Sequence, residues 1–196
     1  MFLERSINQG DNIGWIEVIC GSMFSGKTEE LIRRVKRAKL AKQKIKIFKP
    51  KQDVRYSKKK VKSHDNNSIK SKPVNSPKKI LELSEKFDII GIDEAQFFDN
   101  SIVEVCNKLA NAGKRVIVAG LDMDYKGNPF GPMPNLLAIA EYVTKVHAIC
   151  TRSGKMASYT HRIVKNEDLV LLGDTRKYEA LSRIEFLKAK KKKKHD

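Results

Sequence analysis

The stretch from Trp15 to Leu40 decides the fold; it reads WIEVIC, then GSMFSGKT, then EELIRRVKRAKL. Trp15–Cys20 is short, apolar and bounded by glycines, the pattern of a buried strand. From Thr28 to Leu40 the residues Leu31, Val35 and Ala38 recur at helical spacing, with Arg33, Arg34, Lys36 and Arg37 expected to face away. Between them Gly21-Ser22-Met23-Phe24-Ser25-Gly26-Lys27-Thr28 fits G-x-x-x-x-G-K-[ST], the phosphate-binding P-loop. Its glycines let the backbone curl until successive N–H groups point at phosphate oxygens, helped by the start of the following helix. In that arrangement Lys27 neutralises β- and γ-phosphate charge, and the Thr28 hydroxyl is placed to ligate magnesium.

Outward from this unit the chain alternates. Ile45–Lys49 reads as a strand closed by Pro50, residues 51–79 as a polar loop without periodicity, and Leu81–Lys86 as a short helix. Phe87–Ile92 is a strongly apolar strand running into Asp93-Glu94. Ser101–Ala112 is a helix, Arg115–Ala119 a strand, Leu136–Glu141 a helix and Lys145–Cys150 a strand. Strand and helix alternation predicts an α/β fold, a mostly parallel sheet covered by helices. Beyond Cys150 turns and short strands take over, Leu169–Leu172 being the clearest, which marks a small second subdomain. The expected units are 1–149, a nucleotide-binding α/β domain; 150–187, the small subdomain; and 188–196, a Lys-rich tail.

The chain has 196 residues, 40% hydrophobic and 7% aromatic, enough for a core that buries about 70% of the unfolded surface, so disorder throughout is excluded. No apolar run reaches a membrane span, and Met1 to Asn12 carries Glu4, Arg5 and Asp11 in place of a secretory apolar stretch. Cys20, Cys106 and Cys150 are an odd number without close pairing, which fits a reducing compartment and predicts the cytoplasm. The formal charge of +17 is concentrated: residues 188–196 hold six Lys and one Asp, and residues 56–79 eight Lys and one Asp. Charge in a low-complexity tail and a polar loop reads as solvated lysines more than as a folded nucleic-acid face.

Asp93 closes a buried strand downstream of a P-loop, the position from which an acid reaches the magnesium of a P-loop enzyme. Glu94 follows and could take a proton from an attacking hydroxyl or water; the plainer alternatives are a strand-end cap for Asp93 and a loop-opening surface residue for Glu94.

Several further segments, in order, resemble the cytosolic-type thymidine kinase family: Met23 to Leu31, Asp53-Val54-Arg55-Tyr56, Ser63-His64-Asp65, Asp93-Glu94-Ala95-Gln96-Phe97-Phe98, Ala119-Gly120-Leu121-Asp122 and Phe130-Gly131. So do Ala138 to Val143, His147 to Cys150, Tyr159-Thr160, and Gly173 with Tyr178-Glu179-Ala180, so that the likeness runs from about Ile16 to Phe186. The resemblance implies a RecA-like P-loop fold bearing a C-terminal lasso, and transfer of the ATP γ-phosphate to the 5′-hydroxyl of thymidine, with Mg²⁺, in nucleotide salvage. It places Gly21 to Thr28 and Asp93, Glu94, Ala95 and Gln96 on ATP, Thr28, Asp93 and Asp53 on magnesium, and Glu94, Arg55 and Lys27 at the transferring phosphoryl group. It places the nucleoside against Met23, Phe98, Leu121 and Phe130, under a lasso with Thr160, Leu169, Leu171, Gly173 and Tyr178. From composition alone Phe98 and Phe130 read equally well as core, and Arg55 as a surface cation. Family members commonly form homotetramers and are inhibited by thymidine triphosphate.

The chain departs from the family at two places. Many relatives hold a structural zinc on two Cys-x-x-Cys pairs, where this sequence reads Cys150-Thr151-Arg152-Ser153 and Ser182-Arg183-Ile184-Glu185. With Cys150 alone retained no tightly bound zinc is expected, and Ile184 and Phe186 are expected to supply an apolar replacement. Gly173-Asp174 stands where relatives often carry two glycines. Two other readings stay open at this point: a nucleic-acid-stimulated P-loop ATPase, and a nucleotide-binding relative without catalysis.

Overall fold

The computed structural model describes residues 13–51, 60–62, 68–164, 168 and 176–192; Asp53, Arg55, Leu169, Leu171, Gly173 and Asp174, and the strand expected at Leu169–Leu172, lie outside them. In chain order the elements are β1 (Trp15–Cys20), α1 (Lys27–Leu40), β2 (Ile45–Pro50), β3 (Lys60–Lys62), β4 (Ser68–Lys70), β5 (Lys72–Val74), α2 (Pro77–Glu82) and β6 (Ile89–Ile92). Then follow α3 (Ser101–Asn111), β7 (Arg115–Gly120), α4 (Met133–Ile139), β8 (Tyr142–Lys145), β9 (Ala148–Ile149), β10 (Met156–Ala157), β11 (Tyr159–Arg162), β12 (Tyr178–Leu181) and α5 (Arg183–Lys192).

Six of these strands form one parallel sheet in the order β5-β2-β6-β7-β1-β8. β1 is buried on both faces, as a central parallel strand must be. Ile16, Val18 and Cys20 pack with Ile102, Val105, Cys106 and Leu109 of α3, while Ile19 packs with Leu31, Ile32, Val35 and Ala38 of α1. The sheet is therefore a middle layer with α1 on one face and α2, α3 and α4 on the other, each fully buried Ile, Leu or Val contributing about 1.5–3 kcal/mol. Because β7 lies between β1 and β6, the loop after β1 and the acids after β6 open onto the same carboxyl edge of the sheet, one strand apart.

One residue of α1 runs against its sequence pattern. Arg34 is buried, not turned outward: Glu17 sits fully buried on the α1 side of β1 and needs a counterion there. Arg34 Nη1 donates to Glu17 Oε2 at 2.7 Å and Arg115 Nε donates to Oε1 at 2.6 Å. Stripping either partner from such a buried pair costs about 3–5 kcal/mol, so the three charges stand or fall together.

Other boundaries move for local reasons. The segment read as a featureless loop contains the β3–β4 hairpin and β5, which pairs with β2 through Phe48↔Lys72, Lys49↔Pro73 and Pro50↔Val74. Helix α2 starts at Pro77, four residues before the apolar spacing suggested, because Pro at the first helical position after Ser76 is preorganised for it. The last strand of the sheet is Tyr142–Lys145, not Lys145–Cys150; beyond Lys145 contact with β1 continues only as Val146 N–H to the Cys20 carbonyl at 2.9 Å.

After this the chain builds a smaller lobe from the antiparallel pairs β9–β10 and β11–β12 with α5 against them. Its core is Ala148, Cys150, Ala157, Tyr159, Ala180, Leu181, Phe186 and Ala189, with Tyr159 and Phe186 stacked at 4.6 Å. Phe186 is buried in this core, whereas Ile184 is exposed. The Lys-rich end is helical as far as Lys192, and Ala189 is buried within it. Among the described residues no helix is long and apolar enough to cross a membrane.

Candidate active site

The loop from Gly21 to Thr28 leaves β1 at the carboxyl edge and enters α1. Gly21, Phe24 and Gly26 take positive φ of 146°, 64° and 83°, the turns that curl the backbone inward at the start of a 14-residue helix. The Ser22 carbonyl accepts hydrogen bonds from Lys27 Nζ at 2.6 Å and from Ser25 Oγ at 2.7 Å, so the lysine lies across the loop it serves. A curled glycine loop leading into a helix N-terminus, with one ammonium beside it, is an arrangement that suits an anion.

Across the mouth of the cradle stands Asp93, buried, its own N–H held by the Phe48 carbonyl at 3.0 Å. The Thr28 hydroxyl lies 3.4 and 3.5 Å from the two Asp93 carboxylate oxygens. A hydroxyl and a carboxylate converging beside a phosphate cradle are hard oxygen donors, the set that suits Mg²⁺. Glu94 is next, in the left-handed region at φ 54°, ψ 42°, a conformation that costs a non-glycine residue about 1–3 kcal/mol and is retained where the surroundings enforce it.

Ala95 and Gln96 do not line the cradle with their side chains. Ala95 is packed in the core, and Gln96 Nε2 donates to Glu94 Oε2 at 2.6 Å. Phe98 is likewise in the core with Ile102 and Leu109, on a different wall from Met23, Leu121 and Phe130. The 3₁₀ turn at Ala95–Phe97 is the reason: it rotates Phe97 toward Phe130, edge to face at 5.8 Å, and sends Phe98 the other way.

Met23, Leu121, Phe130 and Tyr178 form one buried apolar cluster, joined by Phe24, Phe97 and Tyr125. Thr160 holds the cradle to the small lobe, because its Oγ1 accepts the Met23 N–H at 3.0 Å. A further buried side chain, Arg162, packs against this cluster. Its guanidinium lies over the Tyr125 ring at 3.6 Å, donates to the Tyr178 hydroxyl at 2.9 Å, and donates to the Asp168 carbonyl. A buried arginine sandwiched this way fixes Tyr178 in the pocket wall, and no spacing in the sequence marks it. A cavity of about 740 Å³ opens beside the loop, lined by Phe24, Gly26, Glu29, Ile149, Tyr178 and Glu179.

The cysteines near and far from this site differ. Burial, then the Asp122 carboxylate, pushes the Cys20 thiol up to about 11, and burial pushes Cys106 up to about 12. Both are inert packing groups at neutral pH. Cys150 goes the other way: burial raises it, but hydrogen bonds from the Ser153 hydroxyl and from the amides of Ser182, Arg152 and Ser153 outweigh burial and bring it down to about 7.

The other donors near Cys150 do not suit zinc. Positions 153 and 182 carry hydroxyls, and Glu185 is paired with Lys188 at 2.8 Å. His147 Nδ1 is bonded to Ser158 Oγ at 3.2 Å, and His161 sits edge-on to Phe186. Among the described residues no group of three His, Cys, Asp or Glu could hold a metal. Packing of Tyr159 on Phe186, with Arg152 and Thr151 both bonded to Glu179, ties the lobe together. Elemental analysis of the purified protein is expected to find well under one zinc per chain, and a chelator to leave the melting temperature unchanged; stoichiometric zinc, or a melting point that falls with chelator, would refute this.

A parallel α/β sheet with a G-x-x-x-x-G-K-T loop after an interior strand and two acids after the strand two places away has the pattern of a P-loop protein. The profile of the thymidine kinase family matches residues 14–186. Over 190 residues the chain is 59% identical to a thymidine kinase of Bacteroides thetaiotaomicron, covering 97% of this chain and 96% of that one. It is 61% identical to a thymidine kinase of Bacteroides fragilis (93% and 92% covered) and 56% identical to one of a Rhodothermus species (88% and 81%). The chain belongs to the thymidine kinase family.

Proposed function

We propose that the protein is an ATP-dependent thymidine kinase, transferring the γ-phosphate of ATP to the 5′-hydroxyl of thymidine. The observation that carries this reading is the Thr28 hydroxyl meeting Asp93 at the end of the loop that holds Lys27, with Glu94 next in sequence and the buried apolar cluster of Met23, Leu121, Phe130 and Tyr178 reaching that same loop through Met23. The triphosphate lies in the cradle of residues 21–28, and the cavity flanked by Phe24, Gly26 and Glu29 takes the nucleoside end of ATP. Thymidine lies in the apolar pocket with its 5′-hydroxyl toward Glu94.

Thr28 and Asp93 would hold Mg²⁺, joined by Asp53; the cation would offset charge on the phosphate oxygens. Glu94 takes the proton of the 5′-hydroxyl as its oxygen forms a bond to the γ-phosphorus and the bond to the β-phosphate oxygen breaks, releasing ADP. A loose phosphoryl transition state asks the protein for position and positive charge more than for covalent help. The loop amides and Lys27 supply both, and Arg55 is the family position for a second cation. An acceptor buried against these apolar side chains would be shielded from water, so that the sugar hydroxyl outcompetes hydrolysis.

The same reading puts the enzyme in the cytoplasm, in nucleotide salvage, as a homotetramer subject to inhibition by thymidine triphosphate. The exposed Tyr142 and Val143 on the edge strand β8 are in keeping with self-association. A panel of thymidine, deoxyuridine, deoxycytidine and DNA, each with ATP and Mg²⁺, tests the reading. Thymidine monophosphate as the main product is expected; ATP hydrolysis that rises only with DNA, or ATP binding without turnover, would overturn it.

A further inference from the structure

We propose that Gln96 is the positioning residue of the phosphoryl transfer, a two-sided clamp that fixes the rotamer of Glu94. The inference rests on Glu94 being the base.

The carboxamide of Gln96 is buried and bonded at both ends. The Leu121 N–H donates to Gln96 Oε1 at 2.9 Å, and Gln96 Nε2 donates to Glu94 Oε2 at 2.6 Å. An amide N–H can only donate, so Leu121 dictates which end of the carboxamide faces it. The NH₂ end is then obliged to face Glu94. A donor held there at 2.6 Å ties the Glu94 carboxylate into one orientation.

The slot around Gln96 is cut for this. A Cβ on Gly120 would come within 3.0 Å of Gln96 Oε1 and 2.6 Å of Met133 Sδ, and a Cβ on Gly131 would come within 2.5 Å of the Gln96 carbonyl oxygen. Both the side chain and the backbone of Gln96 are therefore hemmed in where glycine alone leaves room. Glu94, whose left-handed backbone leaves its side chain dependent on outside support, receives that support from Gln96. Leu121 also belongs to the apolar cluster, so the clamp locks the base to the wall against which the acceptor rests.

The test is steady-state kinetics of Gln96→Met, Gln96→Glu, Glu94→Gln and the Glu94→Gln/Gln96→Met double variant, with thermal melts as the check on folding. Gln96→Met removes both bonds at similar volume. Gln96→Glu keeps the acceptor for Leu121 and the packing, so it decides the matter if the methionine variant fails to fold. The carboxylate that replaces the amide offers Glu94 only acceptor oxygens. Each Gln96 variant is expected to lose about ten- to hundredfold in kcat, the scale of a hydrogen bond to a charged group, with KM for ATP and thymidine within about threefold of wild type. In the Glu94→Gln background the Gln96→Met change is expected to cost less than about twofold, because its effect runs through the base. Wild-type kcat in both Gln96 variants, or a double variant showing the product of the two single losses, would overturn the clamp while leaving Glu94 in place. Undiminished turnover in Glu94→Gln would instead overturn the base itself and the clamp with it.

Discussion

Glu94→Gln lowers turnover by about 10²–10⁴-fold, the range for removal of a general base, while the affinity for ATP stays near that of the unaltered protein. The substitution is nearly isosteric and keeps a hydrogen-bonding partner for Gln96, so the αL turn at residue 94 has no reason to collapse. The cradle that grips the triphosphate is built from residues 21–28, on a different strand, and its braces from Lys27 and Ser25 to the Ser22 carbonyl do not involve Glu94. Loss therefore falls on the chemical step, visible as reduced single-turnover rate with saturating ATP and thymidine. A variant that turned over at the wild-type rate would remove Glu94 from the reaction.

Gly21→Ala attacks the other half of the site through the backbone. Gly21 sits at φ 146°, and an added Cβ would lie 2.1 Å from the Val146 carbonyl oxygen and 3.0 Å from Ser25 Oγ. The carbonyl cannot swing aside cheaply, since the Val146 N–H is bonded to the Cys20 carbonyl where β1 ends. The first turn of the cradle must shift, and displacement of about 1 Å at a phosphate site costs on the order of 10²-fold. ATP affinity measured by titration calorimetry is expected to fall at least that far, with a destabilisation of about 1–3 kcal/mol in denaturant melts from the strained turn. Affinity within twofold of wild type would show that the loop does not close on phosphate.

The parts of this molecule that sequence discloses are those written in local spacing. β1, the cradle and the apolar stripe of α1 are read directly, because alternation of buried strand, glycine turn and amphipathic helix leaves little choice. Arg34 escaped because a cation at a core-facing position looks like any other until Glu17, buried on the adjacent strand, is known to lie beneath it. Phe98 reads as a wall residue in the sequence, yet a single 3₁₀ turn puts its neighbour Phe97 against that cluster and Phe98 in the core. Gln96 read as a nucleotide contact by its place in the Asp-Glu-Ala-Gln run; its side chain turns inward because Leu121, distant in sequence, offers an N–H there. Arg162 and Tyr125 are paired across the fold, and nothing in their spacing announces it. Long-range contacts decided each of these cases.

The most direct measurement is a crystal structure with adenosine and thymidine joined 5′ to 5′ through a tetraphosphate, a molecule that spans donor and acceptor sites at once. The account predicts bridging phosphates within hydrogen-bond reach of the amides of residues 22–28 and of Lys27. It also predicts the thymine ring among Met23, Leu121, Phe130 and Tyr178, with the ester oxygen at the thymidine 5′ position about 2.6–3.2 Å from a Glu94 carboxylate oxygen. Thymidine bound outside that cluster, or Glu94 facing away from the 5′ oxygen, would contradict it.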